Sequence, residues 1–164
     1  MALKLLEYAL LMEGDGYWKR LENLRREALE LMGVLAKFKP KLVGSVWRGI
    51  IKPGSDIDIE VDCQDPEPVK RALAESGYEV LGQEPVSVPE PLRYGSLWKI
   101  KVNTKSGKQV EIILKEHRWH LNPPKCDIFG DPKKGLNMVE LRKLLKEEPA
   151  RLFIPRRSLR NGVR

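Results

Sequence analysis

Seven consecutive residues, Asp56-Ile57-Asp58-Ile59-Glu60-Val61-Asp62, alternate strictly between carboxylate and aliphatic side chains, and no other stretch constrains the fold as tightly. A period of two is the pattern of a β-strand, whose successive side chains point to opposite faces. Ile57, Ile59 and Val61 then enter a core, while Asp56, Asp58, Glu60 and Asp62 line the other face. One reading of that second face is an ordinary solvated sheet surface. Another starts from the poor strand propensity of aspartate and the mutual repulsion of neighbouring carboxylates, which a divalent metal would neutralise.

Around this strand the chain alternates helix and strand signals. Leu21, Leu24, Ala28, Leu31 and Leu35 recur at three- and four-residue spacing and predict an amphipathic helix. "GDG" at 14–16 separates it from an apolar N-terminal helix, whose Lys4, Glu7 and Glu13 and lack of a small-residue cleavage site argue against a signal peptide. "KLVGS" reads as a short buried strand ending at Gly44-Ser45, "DPEPVKRALAESG" as a helix and "YEVLGQ" as a strand. The proline-rich "EPVSVPEP" reads as a loop. A hairpin follows, with Trp98, Ile100 and Val102 facing the core beside Val110, Ile112 and Leu114, and Glu111 pointing the other way. Residues 121–135 are turn-rich. Asn137 and Glu140 form a capping-box pattern at the start of a last helix. The expected class is α+β: a small mixed or antiparallel sheet with flanking helices in one domain over residues 1–150, followed by an Arg-rich tail, 151–164.

Chemistry concentrates before and within the acidic strand. Gly44 lets the backbone approach a ligand closely, Ser45 adds a hydroxyl, and the free N–H groups of a helical turn starting at "VWRG", 46–49, would face a phosphate. Asp56 and Asp58, about 7 Å apart along a strand, can hold hard cations through oxygen. Val43-Gly44-Ser45, ten intervening residues and then Asp56-Ile57-Asp58-Ile59 resemble the signature of the nucleotidyltransferase superfamily that includes DNA polymerase beta, CCA-adding enzymes and the minimal nucleotidyltransferases. Val110-Glu111-Ile112 is similar to the strand that carries that family's third carboxylate, which is often aspartate. The likeness covers roughly residues 24 to 116. It implies a sheet of the nucleotidyltransferase type and transfer of a nucleoside monophosphate, AMP from ATP or its counterpart from another nucleoside triphosphate, onto an acceptor hydroxyl with release of pyrophosphate. It further implies Mg2+ or Mn2+ held by Asp56, Asp58 and Glu111, and nucleotide contacts from Gly44, Ser45 and Ser55. Arg48 and Lys52 are candidate triphosphate contacts or ordinary surface charges. Glu60 and Asp62 lie too far along the strand to join the set.

Charge narrows the partners less than the formal +7 suggests, because five arginines and no acid fall in residues 151–164, leaving +2 for the first 150. Arg156, Arg157 and Arg160 are the candidate RNA contacts, and a solubilising end is the alternative. The acceptor is open among an RNA end, a protein and a small molecule. Other readings are a non-catalytic nucleotide- or RNA-binding module and an antitoxin-like enzyme that modifies a protein. Two distant cysteines, Cys63 and Cys126, fit a reducing cytoplasm. No apolar run is long enough for a membrane span. His117, His120 and Cys126 match no standard zinc spacing.

Overall fold

A computed structural model describes residues 2–155. The chain runs α1 (Ala2–Glu13), α2 (Asp15–Val34), β1 (Lys41–Val43), α3 (Gly44–Arg48), β2 (Ile57–Asp62), α4 (Pro66–Glu75), β3 (Val80–Pro85), α5 (Glu90–Arg93), β4 (Ser96–Asn103), β5 (Gln109–Lys115), α6 (His117–Leu121), β6 (Leu136–Asn137) and α7 (Met138–Glu147). The strands form one six-stranded sheet in the order β3-β4-β5-β2-β1-β6. Among the described residues only β2 and β5 pair in parallel; the other pairings are antiparallel. The expected α+β class with a mixed sheet is the one found.

The alternating pattern sorts the sheet's two faces. Ile57, Ile59 and Val61 of β2, Ile100 and Val102 of β4, and Val110, Ile112 and Leu114 of β5 are all fully buried. They join the stripe Leu21, Leu24, Ala28 and Leu31 of α2, together with Val69 and Leu73 of α4 and Leu141 of α7, in one core. The other face carries Asp58 and Glu60 on β2 and, in register beside them, Glu111 and Ile113 on β5. No helix among the described residues is long and apolar enough to cross a membrane.

Several boundaries differ from the sequence reading. Only Gly14, at φ +57°, stands between the first two helices; Asp15 and Gly16 already belong to α2, where an acid in the first turn suits the helix dipole. β1 ends at Val43, and Gly44-Ser45 open a helix instead of closing the strand. Asp56 precedes β2, which begins at Ile57. β3 runs on into the proline-rich stretch as far as Pro85, tolerated because β3 is an edge strand. Asn137 and Glu140 do form the capping box. Arg156, Arg157 and Arg160 lie outside the described residues, whereas the start of the same segment packs on the body: the Phe153 N–H donates to the Arg48 carbonyl at 2.9 Å.

Two side chains of α2 hold α3 and the loop after it. The Tyr17 hydroxyl donates to the Gly49 carbonyl at 2.6 Å and accepts from the Ile51 N–H at 2.8 Å. Arg25 is fully buried, with no carboxylate on it among the described residues. Its guanidinium donates to four carbonyls, those of Val46 and Trp47 in α3 and of Pro149 and Arg151 beyond α7, at 2.8 to 3.0 Å. Burial pushes its pKa down to about 10, which still leaves it charged at neutral pH. Replacing Arg25 with Met, of similar reach, leaves those carbonyls without their donor and should cost about 2–4 kcal/mol. Arg26→Met, which removes an exposed i,i+4 pair with Glu22, should cost under about 0.5 kcal/mol. Urea unfolding of both variants measures the difference, and equal losses would contradict the role given to Arg25.

Candidate active site

The β1–β2 register sets the first contact of the site. Val43 lies opposite Asp58, so the chain turns at Gly44 directly against the Asp58 carboxylate. Gly44 has φ +74°, a conformation that side chains disfavour, and a Cβ there would overlap that carboxylate, 3.2 Å from its Cγ. Glycine is thus required twice over, by the turn and by the space. A second register completes the pair of carboxylates: Asp58 stands beside Glu111 across the parallel β2–β5 ladder, where strand axes are about 4.8 Å apart.

Negative charge is crowded here. The Asp58 carboxyl is pushed up to about 7, first by burial, then by repulsion from Glu111 and Asp56, with Glu60 adding to the effect and the Lys99 ammonium opposing it. Glu60, two residues along β2, is buried and neutralised by Lys115 at 3.1 Å. The sheet face is therefore not a uniformly solvated acidic surface: one acid is ion-paired within the fold, and its neighbour Asp58 has no ion pair among the described residues, Lys99 offsetting the repulsion only in part.

A cleft of about 460 Å3 opens over Asp58, and Gly44, Ser45, Arg48, Lys52 and Ser55 all line it. Asp56 and Glu111 are not among its lining residues. Two of the lining groups are already engaged. Ser55 closes the turn after α3, its hydroxyl accepting from the Lys52 N–H at 2.9 Å. Arg48 forms a bidentate pair with Asp131 at 2.6 and 2.8 Å, donates to the Phe153 carbonyl, and sits between the Trp47 and Phe129 rings, 4.4 and 4.7 Å from their centroids. It fastens the segment around residue 131 to α3 as it stands.

The residues 126–133 that form the far wall, among them Cys126, Phe129 and Lys133, were not legible in a turn-rich stretch without periodicity. Lys99 was: with Trp98 and Ile100 directed to the core, strand alternation sends Lys99 to the acidic face. His117 pairs with Asp62, and burial, helped by the nearby Lys41 ammonium, holds His120 down to about 4. Both cysteines are free thiols.

The donor set suits a hard divalent cation, since its oxygens are all carboxylate and their repulsion raises Asp58. Among the described residues no three His, Cys, Asp or Glu side chains converge into a ready cage. Magnesium does not need one: it is commonly held by one or two carboxylates, with substrate phosphates and water completing its shell.

No family model matches the sequence, and no curated protein matches it. Among solved structures, the chain is similar to Cid1 in complex with the UTP analog UMPNPP, at 18% identity and a TM-score of 0.43 over 62% of this chain and 33% of that one. It is similar to the non-canonical poly(A) polymerase complex GLD-2–GLD-3, at 16% identity and a TM-score of 0.41 over 70% and 39%. The same holds for a cytoplasmic RNA terminal U-transferase, at 18% identity and a TM-score of 0.41 over 72% and 37%. The chain spans about a third to two-fifths of the length of these structures.

The raised Asp58 carboxyl has a stability consequence with a definite sign. Its ordinary unfolded value is near 3.9, so between about pH 4 and 7 the folded state binds more protons than the unfolded one, and stability falls as pH rises through that window. Without divalent metal, Asp58→Asn should be more stable than the parent by roughly 1–3 kcal/mol at pH 8, and by little at pH 4. Urea unfolding at the two pH values checks this, and a variant no more stable at pH 8 would contradict it.

Proposed function

We propose that this protein is a divalent-metal-dependent nucleotidyltransferase that moves a nucleoside monophosphate, AMP from ATP in the simplest case, onto an acceptor hydroxyl. One observation carries the reading: two motif halves separated by ten residues meet in a single cleft, with Gly44 and Ser45 on one wall, Asp58 against them, and Lys52 and Ser55 beside them.

In this reading the Gly44 and Ser45 amides and the Ser45 hydroxyl receive the terminal phosphates, and the exposed Lys52 ammonium approaches them from the mouth. Asp56, Asp58 and Glu111 would hold Mg2+ or Mn2+, which when bound shields the phosphate charge and stabilises the pyrophosphate leaving group. The acceptor oxygen forms its bond to the α-phosphorus as the bond from that phosphorus to the bridging oxygen of the β-phosphate breaks. Pyrophosphate departs, and the acceptor proton passes to Glu111 and on to solvent. Glu111 fits that role because it flanks Asp58 from a second strand, so the two carboxylates address the reacting centre from different directions.

Two measurements test the proposal. Incubation with labelled ATP and magnesium, followed by mass spectrometry of RNA, protein and small-molecule acceptors, should show a gain of one nucleotide on one class and none with Asp58→Asn. Absence of any gain, with nucleotide still bound, would make the chain a binding module instead. Glu111→Gln should keep nucleotide affinity within about threefold and lower single-turnover transfer by about a hundredfold or more. Near-normal transfer by that variant would remove Glu111 from the reaction.

A further inference from the structure

Helix α1 carries apolar residues on both sides, and the body of the protein uses one of them. Leu6, Ala9 and Leu10 pack into the core. The Glu13 carboxylate accepts from the Arg20 guanidinium of α2 at 3.0 and 2.8 Å, which fixes α1 on α2. On the outer side Leu5, Tyr8 and Met12 recur at three- and four-residue spacing with Leu11 beside them, each between 52% and 85% exposed. We propose that this face is the seam of a homodimer, in which α1 packs antiparallel against α1 of a second copy about a two-fold axis near Tyr8. The inference stands apart from the nucleotidyltransferase reading.

The exposed area suits an interface. Four side chains so exposed present roughly 400 Å2 of apolar surface on one short helix, as much as the largest patch on a typical monomer. At the cleft the patch runs on, because Leu5 lines the cavity over Asp58 together with Ile128, which is 74% exposed. Two such faces, with the polar side chains around them, bury about 1,000–1,200 Å2 in total, the lower range of a specific interface. A dimer of micromolar stability follows.

Charge selects the arrangement. Lys4 lies near the start of α1 and Asp15 just past its end; both are exposed, and neither forms an ion pair among the described residues. In an antiparallel pair centred on Tyr8, Leu5 meets Leu11 of the partner subunit, and Lys4 falls within one turn of Asp15 of the partner subunit. Opposite charges then close the rim at each end, and the helix dipoles oppose one another. A parallel pair would set Lys4 and Glu7 against their own counterparts, like charge on like.

Other occupants fit this face less well. Residues 156–164 contain four arginines, with Leu159 and Val163 as the aliphatic side chains, too little to cover four exposed apolar residues. A helix that lies on a bilayer has a polar face rich in Lys and Arg, whereas Lys4, Glu7 and Glu13 leave α1 with a net negative charge.

Sedimentation velocity of the full chain between about 1 and 500 µM tests the seam. The parent should pass from 18.8 kDa to twice that mass as concentration rises. Leu11→Glu, at the most exposed of the four positions, should raise the dissociation constant about thirtyfold or more. Met12→Glu should do the same and guards against a folding defect in the first variant, with circular dichroism as the check on both. Lys4→Glu should weaken the dimer about fivefold, and Lys4→Glu combined with Asp15→Lys should return it to within about twofold of the parent, the pairs re-forming with their signs exchanged. A parent that stays monomeric at about 500 µM would overturn the proposal, whether residues 156–164 or another protein covers the face. A dimer indifferent to both glutamate variants, a charge-exchanged variant no tighter than Lys4→Glu alone, or a monomer that sediments with phosphatidylcholine vesicles would each overturn it as well.

Discussion

The parallel pairing of β2 with β5 is the constraint on which the rest of the molecule depends. Parallel neighbours cannot be joined by a tight turn, so the chain leaves β2 through α4, lays down β3 and β4, and returns as β5 in the hairpin. That detour builds half of the sheet. It also sets Asp58 beside Glu111 with Ile57, Ile59, Val110 and Ile112 directed together to the opposite face. The hydrophobic alternation that drives the pairing and the crowding of carboxylates on the reverse side are one pattern: a one-residue slip would send the acids into the core.

Around that pair, the fold fixes the approach of α3 with unusual firmness. Arg25 reaches from α2 to carbonyls of α3 and of the segment past α7, and Tyr17 pins the loop at Gly49 and Ile51. The short helix that presents Ser45 is thereby tied from below. Arg48, engaged by Asp131 and by two aromatic rings, ties it to the far wall of the cleft. Rigid support of this kind is what a site needs if a phosphate is to be received in one geometry.

Much of this was legible in the sequence. The alternation at 56–62 located β2 and its two faces, the Leu stripe located α2, and the paired apolar sets at 98–102 and 110–114 located the hairpin and turned Glu111 away from the core. The exceptions have physical causes. Gly44 and Ser45 read as the end of a strand because a five-residue helix has too few turns to show a period. Asp56 fell outside β2 because hydrogen bonding, which side-chain alternation does not reveal, starts at Ile57. Arg48 looked like a surface charge or a free phosphate contact because its partner, Asp131, is 83 residues away, and no local pattern joins them. The residues 126–133 that wall the cleft are held by turns and by that long-range pair, so their place over the sheet emerges only from the fold.

The crowded, only partly compensated charge at Asp58 is the central physical claim, and carbon-13 NMR of the aspartate carboxyl groups measures it directly. Without divalent metal, the Asp58 signal should titrate near pH 7; with magnesium and a non-hydrolysable nucleotide its midpoint should fall by two pH units or more, to about 5 or below. An Asp58 carboxyl that titrates near 4 and is indifferent to both additions would contradict the account.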